Sequence, residues 1–126
     1  MRSLRLSALA LALLLAVGLF NGAYLTRRCT AWTAQLDAVT AAVAQGDWDG
    51  AEDGMAALAH SWQQHRTYLS MTLPHDEIDV ADTALHQCAD HVSARDGAAL
   101  AGTALLLRLQ LRELAEREQL RFGNIL

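Results

Sequence analysis

Residues 25–43 read LTRRCTAWTAQLDAVTAAV. Within them Leu25, Cys29, Trp32, Leu36, Val39 and Val43 recur at spacings of four and three, which places them on one apolar face of a helix. Gly46 ends the pattern. Asp47 is placed to cap a following helix whose first turns hold Asp49, Glu52 and Asp53, suited to the positive end of a helix dipole. Trp48, Ala51, Met55, Leu58, Trp62, His65 and Leu69 form a second seam of the same period. Pro74 stops it, Asp76 is expected to cap a third helix, and Ile78, Ala81, Leu85, Cys88 and Val92 make that helix's seam. After a break at Asp96 and Gly97 comes a fourth, Leu100, Ala104, Leu107, Leu111 and Leu114, which Leu105 and Leu106 are expected to broaden. Gly123-Asn124 closes it ahead of the apolar tail Ile125-Leu126. No run alternates with period two over a strand's length. Trp32, Trp48 and Trp62 read as core anchors.

Upstream of the first seam, residues 6–25 read LSALALALLLAVGLFNGAYL without a charge. At about 1.5 Å per residue they span roughly 30 Å, the hydrocarbon thickness of a bilayer. Arg2 and Arg5 precede the run, and Arg27 and Arg28 close it. A cleaved signal peptide would have a shorter apolar core and small residues at its cleavage site; Ala16-Val17-Gly18 fits that loosely and Asn21-Gly22-Ala23 poorly. An uncleaved anchor fits better. The fold class is therefore all-α, an N-terminal transmembrane helix followed by a small antiparallel helical bundle of three to four segments, because short breaks favour antiparallel neighbours. The division is residues 1–28 as membrane anchor and residues 29–126 as an acidic helical bundle domain. Flanking arginines tie two against two, and the amino terminus with the lack of later positive clusters tilts the chain N-inside. The expectation is a single-pass protein of the cell membrane, held in the lipid bilayer through residues 6–25, with its C-terminal domain exoplasmic.

The 126 residues carry 24 Ala and 23 Leu with one Pro, a helical composition. All ten basic residues are Arg, and four lie in the first 28 positions. Six later arginines against all fourteen acids leave residues 29–126 at −8. Without a basic patch, no nucleic-acid partner is expected.

Few motifs carry chemistry. The stretch from Gly46 to Gly54 fails as a calcium loop, with Gly50 at the fourth place and Leu58 where a bidentate Glu belongs. It also lacks the Gly-Lys-Ser/Thr ending of a phosphate loop. Gly-Asp-Trp-x-x-Ala resembles a tetratricopeptide turn, but no second copy follows 34 residues on. His75, Asp79, Asp82 and His86 are spaced i, i+4, i+7 and i+11, one stripe of the third helix, and are the weak candidates for metal ligands. A solvated acidic edge near a helix N-terminus explains the same stripe. His60 and His65 are five apart and poorly placed to share an ion. No cofactor is implied. Cys29 and Cys88 both fall on inward seams at matching heights, so a disulfide between them stays open beside two free core thiols. No serine elbow is present, and nothing marks a catalytic residue.

The order of landmarks resembles a family of small bacterial membrane proteins, domain of unknown function 4363. Gly46-Asp47-Trp48 with Ala51, then Trp62, then His75-Asp76-Glu77-Ile78-Asp79, and finally Asn124-Ile125-Leu126 follow that family's pattern. The resemblance covers essentially the whole chain and implies a membrane location with no established activity.

The reading that follows is a membrane-anchored structural or protein-interaction module with no catalytic activity. Its partner would be another protein or a second copy, and His75, Asp76, Glu77 and Asp79 would form the contact surface. The alternative is an exoplasmic ligand- or metal-binding sensor-like helical domain. An enzyme using His75 with Glu77 or Asp79 as acid and base ranks last, because nothing marks a substrate pocket.

Overall fold

The computed structural model describes the backbone of residues 1–123 and the side chains of residues 1–117; the Asn124-Ile125-Leu126 ending lies outside the described residues. Four helices follow in order: α1 (Arg2–Ala44), α2 (Trp48–Thr72), α3 (His75–Ser93) and α4 (Gly97–Gly123). Each packs on its neighbour in sequence, and α4 returns to α1. The result is an up-and-down bundle closed in chain order, as short connections dictate. The seams read from the sequence supply the core, with one correction: Trp32 and Trp62 are buried anchors, but Trp48, like Val43 and His65, is only half-buried, because it stands in the first turn of its helix at the end of the bundle. Trp32, Leu36, Ala51, Leu69, Ala81, Cys88, Leu107 and Leu114 have essentially no exposed surface.

Local chemistry explains the corners. Gly46 sits at φ +76°, a left-handed conformation that a side chain would strain, and turns the chain out of α1. Asp47 Oδ1 accepts from the Gly50 N–H at 2.9 Å and caps α2. Asp96 Oδ1 accepts from the Ala99 N–H at 3.1 Å and does the same for α4. At α3 the expected cap is corrected. Pro74, with φ −60°, holds the cap position without a side-chain bond, and the helix begins at His75. Asp76 therefore lies inside the first turn, where its charge faces the dipole but caps nothing.

Three further expectations change. Leu105 and Leu106 do not broaden the fourth seam; they are 53% and 50% exposed, because the neighbouring Leu107 takes the inward position. The packed unit begins before residue 29. Helix α1 runs unbroken for 43 residues, and its buried positions begin at Gly18 and Gly22, ten residues before the expected division. The Cys29–Cys88 bridge is excluded by topology. No Cα of α1 comes within 8 Å of any Cα of α3 among the described residues, whereas a disulfide needs its Cα atoms within about 7 Å. Helices α1 and α3 stand on the bundle's diagonal, and both thiols are buried and free.

Before Gly18 nothing on α1 is buried. Leu4, Leu6, Leu9, Leu13 and Leu14 are each 66% exposed or more, on all sides of the helix. An 18-residue window there has a mean hydropathy of 2.1 and is 6% buried, so α1 is long and apolar enough to cross a membrane.

Candidate functional site

The beginning of α3 differs from an ordinary bundle and lies toward the end from which the apolar part of α1 leaves. Ile78 is inserted in the core at 1% exposure. Glu77 is drawn between α3 and α4, its side chain 11% exposed and ion-paired with Arg117, while its backbone carbonyl accepts from Gln110 Nε2 at 3.4 Å. His75, Asp76 and Asp79 stay on the surface. Residues 75–79 thus divide into two structural side chains and three presented ones.

The histidine–aspartate stripe does not converge. Asp82 Oδ1 accepts from the buried Trp62 Nε1 at 3.0 Å, and its Oδ2 lies 3.9 Å from Arg66 Nη2. Asp79 Oδ1 faces the same guanidinium at 3.9 Å. His86 Nδ1 lies 2.7 Å from the Asp82 backbone carbonyl, which fixes the ring against its own helix. Among the described residues no three His, Cys, Asp or Glu side chains are grouped as metal ligands would be. Asp82 and Arg66 are explained instead as a polar clasp between α2 and α3.

The centre of the bundle is aromatic. Trp32 and Trp62 meet edge to face with centroids 5.1 Å apart, and His65 lies against Trp32 at 5.9 Å. Ser61 serves both neighbours. Its hydroxyl accepts from Trp32 Nε1 at 2.9 Å, and its carbonyl lies 2.7 Å from His65 Nδ1. Below this layer Tyr24 and Tyr68 pack edge to face at 5.0 Å, and the Tyr68 hydroxyl donates to Asn21 Oδ1. Sequence periodicity locates the tryptophans but not Ser61, Asp82 or Asn21, because hydrogen-bond partners on adjacent helices leave no spacing signal.

Burial raises both thiols, Cys29 to about 12 and Cys88 to about 11, so neither is a nucleophile at neutral pH. Two recesses accompany these features. One of about 450 Å³ lies between α1 and α4, floored by Cys29 and Thr33 and edged by Asp37, Arg108 and Arg112; Arg108 and Asp37 are ion-paired across it. The other, about 620 Å³ and almost wholly apolar, lies where the foot of α2 overhangs α1, between Leu14, Phe20, Tyr68 and Thr72.

A family model described as Domain of unknown function (DUF4363) matches residues 19–125. No curated protein and no solved structure matches the chain. The family match opens one residue after Gly18, the first buried position of α1. On that match, which spans far more than half of its length, the chain belongs to the DUF4363 family, a domain of unknown function.

Proposed function

We propose that this chain is a single-pass, membrane-anchored module of structural or protein-interaction type, without catalytic activity, whose bundle stands on the exoplasmic side. The observation that carries the reading is the stalk. Leucines exposed on every side of residues 4–14 hold apolar surface that water penalises at about 25 cal/mol per Å², and a bilayer covers all sides at once. The interaction surface is the edge of α3 made by His75, Asp76 and Asp79, charged and exposed beside the stalk.

Alkaline carbonate extraction of membranes containing the full chain tests the anchor, which is expected to stay in the pellet; a soluble chain ends the proposal. A reporter fused after Leu126 is expected to be active only outside the cytoplasm, and a cytoplasmic signal reverses the orientation alone. A photocrosslinking residue at Asp79 is expected to give a discrete adduct in membranes, and one at Ala57, on the distal part of α2, is expected to give none.

The second reading, a sensor-like domain, draws on the recess between α1 and α4, where Asp37, Arg108 and Arg112 offer both charges to a small polar solute. A rise in melting temperature with such a solute, lost in Arg112→Ala, would favour it.

A further inference from the structure

We infer that the base of the bundle is itself a lipid-contact surface: the corner joining α2 to α3 sits in the interfacial layer of the bilayer, and a phospholipid acyl chain fills the recess beneath it. The inference rests on the anchor reading and adds a second contact to it.

The argument starts from length. A hydrocarbon core of about 30 Å takes about 20 helical residues. Only residues 2–17 precede the first buried position of α1, and sixteen residues rise about 24 Å. The helix continues without a break to Ala44, so no flexible segment holds the bundle away from the membrane. The first charge after the apolar run is Arg27. Covering the run as far as Leu25 therefore brings the bilayer surface up to the lowest two turns of the packed unit.

The residues at that level suit the depth. Leu19 and Phe20 are 59% and 72% exposed on α1, and Met71 is 78% exposed at the foot of α2. Tyr24 and Tyr68, packed together, have the amphipathic rings that gather at membrane–water boundaries. Arg27 stands exposed one turn higher, at the height of lipid phosphates. The recess is walled by Leu11, Leu14, Val17 and Phe20 from the apolar run and by Tyr68 and Thr72 from α2. Four of its six named walls belong to the segment that lies in hydrocarbon, so its occupant is an acyl chain.

Depth-dependent quenching tests this on the full chain in vesicles of phosphatidylcholine and phosphatidylglycerol, with and without lipid carrying a nitroxide near the top of its acyl chain. A fluorophore is placed in turn at Leu9→Cys, Met71→Cys and Ala57→Cys, all exposed positions, with the buried native thiols unmodified under folded conditions. The labels at 9 and 71 are expected to lose more than half of their emission to the nitroxide lipid, and the label at 57 almost none. A label at 71 that behaves like the one at 57, while the label at 9 is quenched, overturns the inference, as it would if a second protein copy covered the base. An unquenched label at 9 overturns the anchor reading, and this inference with it.

Discussion

Trp62 Nε1 donates to Asp82 Oδ1 across 3.0 Å, so a carboxylate at the edge of α3 satisfies the one polar atom of a side chain buried at the bundle's centre. Removing that acceptor leaves an indole N–H buried without a partner, which costs about 1–3 kcal/mol. Asp82→Ala is therefore expected to lower stability by that amount in thermal melts of the full chain. Asp82→Asn keeps an oxygen in place and is expected to lose less than half as much. Equal losses would show that the charge facing Arg66, and not the hydrogen bond, is what matters.

The start of α3 separates packing from capping. Ile78→Ala empties a site that is 1% exposed and is expected to cost about 2–5 kcal/mol. Asp76 caps nothing, so Asp76→Ala loses only its dipole contribution, about 0.3–1 kcal/mol. Asp47→Ala deletes a real cap and is expected to fall between them at about 1 kcal/mol. Denaturant melts of the three variants check the order, and an Asp76 variant as damaging as the Ile78 one would contradict the cap assignment.

The core was legible because three of four helices separate apolar from polar residues with a clear phase. Cys29, Trp32 and Leu36 on α1 and Ile78, Leu85 and Val92 on α3 are all inside as their spacing requires. In α4 the seam through Leu107 was legible too, but Leu105 and Leu106 beside it blur its width, and only packing against α1 and α3 shows that they stay outside. Height along the bundle follows from the sequence as well, and by height alone Cys29 and Cys88 can meet. Position around the bundle could not, and closure in chain order puts their helices on the diagonal. The start of the packed unit at Gly18 was hidden for a different reason. An apolar run reads the same whether lipid or protein covers it.

That α4 phase yields a contrast on the surface. Leu105 and Leu106 are about half exposed, so replacing either with Gln is expected to change stability by no more than about 0.5 kcal/mol. Leu107→Ala, at a position with no exposed surface, is expected to cost about 2–5 kcal/mol. Melts in detergent decide it. A large loss at Leu105 or Leu106 that appears only at high protein concentration would mean that this face packs against a second copy.

The two buried thiols make stability depend on alkaline pH. Desolvation raises Cys29 to about 12 and Cys88 to about 11, whereas a thiol in the unfolded chain ionises near about 8.5. Below that value both states hold their protons and pH has no effect through these groups. Above it the unfolded chain releases protons that the folded chain retains, so stability falls as pH rises toward the folded values, by at most about 1.4 kcal/mol per pH unit for each thiol. Denaturant melts between about pH 8 and 10.5 are expected to show this decline, and the Cys29→Ala, Cys88→Ala double variant is expected to show a shallower one. The same burial governs reactivity. Alkylation of the unfolded chain without reductant is expected to label both cysteines, since α1 and α3 cannot bring them together, while the folded chain at neutral pH reacts slowly. Parallel pH profiles for the two proteins, or a chain that resists alkylation until reduced, would contradict two separately buried thiols.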